Sequence, residues 1–177
     1  MSTPTASSHA SLDAELRNLN PEELRQVAAT LLSNDLEAFC REAWPLVESE
    51  PFISAKYWSC LCEHLMAVSI GRIKRLTIAM PPRFGKSTLI STLWPCWEWA
   101  RNGGSNCWIF ASYSQDLAVR DSVRRRNVFE SGWYRYLWPQ VQLSADMNLK
   151  TEYTTTNHGA MFSTWPGGAL GRGCNGW

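Results

Sequence analysis

The chain has 177 residues, 45% of them hydrophobic and 19% charged, which fits one globular domain able to bury a sizeable core and excludes a largely disordered polymer. A formal charge of +1 hides an asymmetry: residues 1 to 50 carry nine acidic and three basic side chains, a balance of −6, and residues 51 to 177 carry seven acidic and fourteen basic, a balance of +7. No apolar run approaches the roughly eighteen residues of a membrane span, no signal segment opens the chain, and the six cysteines form no Cys-x-x-Cys framework, so a cytoplasmic protein with reduced thiols is expected.

Residues 1 to 19 begin with a small, polar stretch and read as a disordered or weakly helical tail. Asn20-Pro21-Glu22-Glu23 is a helix start, with Asn20 as cap, Pro21 in the first turn and Glu23 reaching back. Leu24, Val27, Ala28, Leu31 and Leu32 follow as one apolar stripe. A second start at Asn34-Asp35 leads into Leu36, Phe39, Cys40 and Ala43 and stops before Pro45. Residues 20 to 50 are thus an acidic helical arm, for packing or for docking a partner. From Lys56 to Ile70, Trp58, Leu61, Cys62, Leu65 and Met66 recur at helical spacing, and Gly71 ends the run. On that helix Cys62 faces away from Cys60 and His64, so a metal site is not expected there.

Arg72 to Met80 reads as a strand whose later residues are buried on both faces, and the loop Met80-Pro81-Pro82-Arg83-Phe84-Gly85-Lys86-Ser87-Thr88 follows it directly. Strand, Pro/Gly-marked loop and a helix opened by Gly-Lys-Ser-Thr is the order a phosphate-binding loop requires. Such a loop aims backbone N–H groups at phosphates, with the positive end of the helix dipole behind them. Lys86 would neutralise β/γ-phosphate charge, Arg83 offers a second cation, and the Ser87 hydroxyl would sit on Mg²⁺. Where the usual pattern has its first glycine this chain has Met80, so Pro81 and Pro82 fix the entry turn instead. The plainer reading is a strand-to-helix turn that merely needs Gly85.

The helix from Lys86 to about Arg101 should kink or break at Pro95, with Trp94, Trp97 and Trp99 directed to the core. Asn102-Gly103-Gly104 is a turn, and Cys107 to Ala111 is a second buried strand. A helix opened by Ser114 or Asp116 carries Arg120, Arg124, Arg125 and Arg126, with Val123 and Val128 turned inward. These arginines suit DNA phosphates, a γ-phosphate on a neighbouring subunit, or simple pairing to acids such as Asp121 and Glu130. After a Trp/Tyr-rich connector, Thr151 to Thr156 and Ala160 to Thr164 read as a hairpin turned at Asn157-His158-Gly159, and Gly167 to Gly173 is glycine-rich.

The loop Pro81-Pro82-Arg83-Phe84-Gly85-Lys86-Ser87 resembles the deviant Walker A of the large subunit of tailed-bacteriophage terminases, the ATPases that pump DNA into preformed capsids. Later segments resemble the same family in the same order: Ser112 to Ala118, Glu130 to Tyr134, Leu137-Trp138-Pro139 and Gly167 to Gly173. The resemblance spans roughly residues 35 to 177. It implies an α/β fold: a partial P-loop three-layer sandwich over residues 51 to 177, with a mainly parallel sheet, preceded by N-terminal helices. It implies ATP and Mg²⁺ as cofactors, with Pro82, Arg83, Phe84, Gly85, Lys86, Ser87 and Thr88 holding the nucleotide. Lys86, Arg83 and Arg126 take the catalytic roles, and Trp58, or Tyr57 or His64, lies near the adenine ring. Arg126 lines up with the family's recurrent arginine. In the complete enzyme hydrolysis would drive double-stranded viral DNA into the prohead, with the small terminase subunit and portal protein as partners and a homo-oligomeric ring as the assembly. The family's Walker B acids and nuclease domain would follow residue 177, so this segment alone is expected to bind nucleotide weakly with Mg²⁺ and to hydrolyse little. A helicase-like, nucleic-acid-dependent ATPase and a non-catalytic interaction module are the alternatives.

Overall fold

A computed structural model describes residues 18–167; the expected tail before residue 18 and the glycine-rich stretch beyond residue 167 lie outside the described residues. Helix α1 (Pro21–Asn34) opens on a capping box: the Asn20 side chain accepts from the Glu23 amide at 2.9 Å, and the Glu23 carboxylate accepts from the Asn20 amide at 2.7 Å. Asp35 caps α2 (Leu36–Ala43) by accepting from the Ala38 amide, and all four residues of the expected stripe, Leu36, Phe39, Cys40 and Ala43, are fully buried. Burying that stripe makes the acidic arm part of the main core. A 3₁₀ turn over Trp44–Leu46 and an irregular stretch then lead to α3 (Lys56–Ser69), which buries Trp58, Cys62 and Leu65. Cys60 and His64 stay exposed on its other side.

The next helical run is three abutting pieces: α4 (Lys86–Thr88), a π-helical turn over Leu89–Leu93, and α5 (Trp94–Asn102). Pro95 has no N–H to donate, and the wider turn just upstream absorbs the missing bond and the ring's bulk without ending the helix. Strand β1 (Cys107–Ala111), α6 (Gln115–Glu130), α7 (Gly132–Leu137), β2 (Leu143–Asn148), β3 (Glu152–Thr155) and β4 (Ala160–Thr164) complete the order.

The sheet corrects the expected fold class. Its order is β1-β4-β3-β2, and only β1 and β4 run parallel, with Ile109 opposite Phe162; the other two pairings are antiparallel. This small mixed sheet is not the mainly parallel sheet of a P-loop sandwich. The cause is local. The turn after Thr155 returns the chain within four residues, which permits only an antiparallel neighbour. That turn also locks onto the one before β1: Asn157 donates to the Gly103 carbonyl at 2.6 Å, and a β-carbon on Gly159 would lie 2.1 Å from the Gly104 carbonyl oxygen. The hairpin is thereby anchored alongside β1.

The second correction concerns the strand expected over Arg72 to Met80, which does not form; the segment has no sheet partner among the described residues. Leu76 and Ile78 rest half-buried against the core while Thr77 and Ala79 are exposed, so it keeps a strand's alternation without the ladder. It was expected to be buried on both faces, and only one is covered. Strand β2 is an element the sequence reading did not anticipate.

One core joins arm, helices and sheet. Phe39 of the arm packs against Trp133 and Trp138 at ring-centroid distances of 5.5 and 5.6 Å, and Trp138 donates to the Ser33 hydroxyl at 3.0 Å. Trp97 donates to the Leu32 carbonyl and Trp99 to the Asn106 carbonyl, both at 2.9 Å, so these two buried indoles keep a partner for the N–H. Among the described residues no helix is long and apolar enough to cross a membrane.

Candidate functional site

Residues Met80 to Thr88 form one wall of a cavity of about 840 Å³. At its centre Gly85 adopts φ 72°, and α4 starts at the next residue, Lys86. Arg83 also holds a left-handed φ, 69°, which costs a non-glycine residue roughly 1–2 kcal/mol. Backbone strain of this kind is tolerated where the surroundings fix it, and at Gly85 the surroundings are aromatic. A β-carbon on Gly85 would sit 2.8 Å from Cζ2 of Trp58, which itself packs edge-on against Trp44 at 5.5 Å and against Phe52 at 5.3 Å. The Trp44 indole donates to the Glu50 carbonyl at 2.7 Å, clamping the segment that carries Phe52. The loop therefore rests on a rigid aromatic floor.

The loop segment supplies both cations expected of it. Among the described residues neither Arg83 nor Lys86 enters an ion pair, and no hydrogen bond claims the exposed Ser87 hydroxyl. Thr88 is different: its hydroxyl is buried and donates to Glu48 at 2.7 Å, and the same carboxylate oxygen receives Arg124 at 3.1 Å. Glu48 so ties the arm, the start of α4 and α6 together. Among the described residues, it and Glu50 are the carboxylates lining the cavity.

Of the sequence-predicted residues, Pro82, Arg83, Phe84, Gly85, Lys86, Ser87, Thr88 and Trp58 all border this one cavity. Trp58 is only 3% exposed and lies against the turn at Gly85. Tyr57 borders the cavity beside Phe84, with rings 5.6 Å apart, whereas His64 is not among the lining residues. Arg126 does not line the cavity either. It reaches Asn148 at 3.4 Å and Glu130 at 3.8 Å, on the side of α6 toward β2.

The other arginines of α6 divide differently. Arg125 is fully buried over the Phe110 ring, 3.7 Å from its centroid, and donates to Ser163 at 2.6 Å, to Tyr153 at 3.3 Å and to the Ser91 carbonyl. Arg124 is engaged by Glu48. Arg120 borders the cavity. Sequence reasoning missed Trp44, Glu48, Glu50, Phe52 and the position of Arg120. The signal for Arg120 was there: Ala118, Ser122, Arg125 and Phe129 repeat as the buried stripe of α6, which sets Arg120 and Arg124 together on a neighbouring face. No group of three or more metal-ligating side chains occurs among the described residues. Comparison with protein-family models, characterised proteins and solved structures yields no match to this chain.

Proposed function

We propose that the Met80–Thr88 loop binds the phosphates of ATP, and that the chain is the nucleotide-binding part of a DNA-packaging motor of the terminase large-subunit kind. The observation that carries the first half is the cavity itself: a left-handed turn at Gly85, a helix starting at Lys86, and two cations with no ion-pair partner among the described residues, all facing one open space. An anion there meets amides that the helix leaves unpaired in its first turn, together with the ammonium of Lys86. The donor set also fits Mg²⁺ in a supporting part, since the Ser87 hydroxyl is exposed while Thr88 is committed to Glu48. When bound, the metal would neutralise charge on the phosphate oxygens. Lys86 and Arg83 would hold the phosphate tail, the loop amides would orient it, and Phe84 and Tyr57 would shield the cavity mouth.

The second half rests on the resemblance of the loop and the later segments to terminases, and the basic balance of the body suits a DNA backbone. On this reading double-stranded viral DNA, the small terminase subunit and the portal protein are the partners, and the bacterial host cytoplasm is the compartment. Among the described residues the carboxylates lining the cavity are Glu48 and Glu50, and Glu48 is held by Thr88 and Arg124, so binding should exceed turnover.

Equilibrium titration of a fluorescent ATP analogue with Mg²⁺ tests the loop. Lys86→Ala is expected to weaken binding by about tenfold or more, the worth of a charge-assisted phosphate contact. Equal affinity of the two proteins would overturn the assignment.

A further inference from the structure

The loop cavity does not stand alone. A second cavity, of about 470 Å³, opens along β1 and the start of α6, and the residues lining both are Ser87 and Arg120. Ser87 belongs to the first turn after the loop, so a chain of phosphates anchored at Lys86 and running past Ser87 arrives where Arg120 stands. Arg120 is also the arginine of α6 least committed to the fold. Arg124, Arg125 and Arg126 hold Glu48, the sheet, or Asn148 and Glu130, whereas among the described residues Arg120 pairs only with Asp121, the next residue, at 2.9 to 3.0 Å. The Arg120 side chain is 50% exposed. An ion pair at that exposure is worth little, so a phosphate displaces the carboxylate at small cost. A planar guanidinium then grips two phosphate oxygens at once.

We infer that Arg120 recognises the terminal phosphate of the nucleotide and makes the site select triphosphate over diphosphate, with Asp121 competing for the same guanidinium. The inference rests on the phosphate-loop reading and adds to it the residue that measures the length of the tail. A shorter tail leaves Arg120 on Asp121, so a diphosphate gains nothing from it. Removing the Asp121 charge releases Arg120 and favours the longer tail further.

Calorimetric titration of the full chain with ATP, ADP and inorganic tripolyphosphate, with Mg²⁺ at fixed ionic strength, tests it. Arg120→Gln is expected to weaken ATP and tripolyphosphate by about tenfold while changing ADP by less than about twofold. Arg120→Lys, which keeps the charge but not the fork, should fall between, and Asp121→Asn should tighten ATP relative to ADP. Lys86→Ala, run beside them, should weaken all three ligands. If Lys86→Ala leaves ATP binding intact, the loop reading fails and this inference with it. If Lys86→Ala weakens every ligand but Arg120→Gln alters ATP and ADP alike, or neither, the loop reading stands and the role given to Arg120 is overturned.

Discussion

Gly85 and Arg83 share a left-handed backbone, but opposite consequences attach to changing them. At Gly85 a side chain meets both the torsional penalty of φ 72° and the Trp58 ring at 2.8 Å. Gly85→Ala should therefore lower the unfolding free energy by about 2 kcal/mol or more and displace the loop, with ATP binding lost in step. Arg83 is exposed at φ 69°, so Arg83→Gly relieves strain and should raise stability by up to about 1 kcal/mol while weakening ATP. Chemical denaturation paired with ATP titration checks both; a Gly85→Ala protein as stable as wild type would contradict the aromatic floor. The loop residues were legible in the sequence because their chemistry is local: a turn needing positive φ, a lysine, two hydroxyls. Glu48, Trp44 and Phe52 were not, because what makes them matter is a fold that brings residue 48 to residues 88 and 124. The family resemblance drew attention to Arg126, while helical spacing favours Arg120.

Among the elements, helices were easier to read than strands, and the reason is physical. Asn20, Asp35 and Ser114 each cap a helix with a side chain the sequence displays, and a helix satisfies its own backbone. A strand satisfies its backbone only through a neighbour. Arg72 to Met80 has the composition of a strand, yet no partner among the described residues meets it, and β1 likewise keeps one free edge. Apolar composition marked the one face that is covered, overstated the other, and could not report the missing ladder. Hydrogen–deuterium exchange should separate the two cases. Amides of Thr77 to Met80 are expected to exchange at least about a hundredfold faster than those of Met161 to Ser163, since no closing hydrogen bond protects them. Equal protection would show that the segment is paired after all.

At the scale of the whole molecule, the tryptophans and tyrosines bind an acidic arm and a basic body into one core, which sequence alone had divided into separate stretches. That core buries groups that ionise only at high pH. Burial holds the Tyr153 phenol up at about 12 and the Tyr134 phenol well above its ordinary 10.0, and pushes the Cys40 and Cys96 thiols above their ordinary 9.0. Each keeps its proton in the folded state after the unfolded chain has lost it, so the stabilisation is complete below the ordinary values and drains as pH rises. Thermal unfolding midpoints should be level from pH 7 to about 8.5, fall from about pH 9 and drop steeply beyond 10. A midpoint still level at pH 11 would mean that these groups are solvated. The acidic arm, by contrast, gave up its identity as a docking device only in part: α2 spends its apolar stripe on the core, while Leu31 of α1 remains 65% exposed.

The account as a whole turns on whether the amides at the start of α4 meet an anion. Amide resonances of Gly85, Lys86 and Ser87, followed by nuclear magnetic resonance while ATP and Mg²⁺ are added, test this most directly. The account predicts large, saturable shifts at these three positions and at Arg120, with weaker shifts on the aromatic floor. Saturable shifts centred elsewhere, with these amides unmoved, would contradict it.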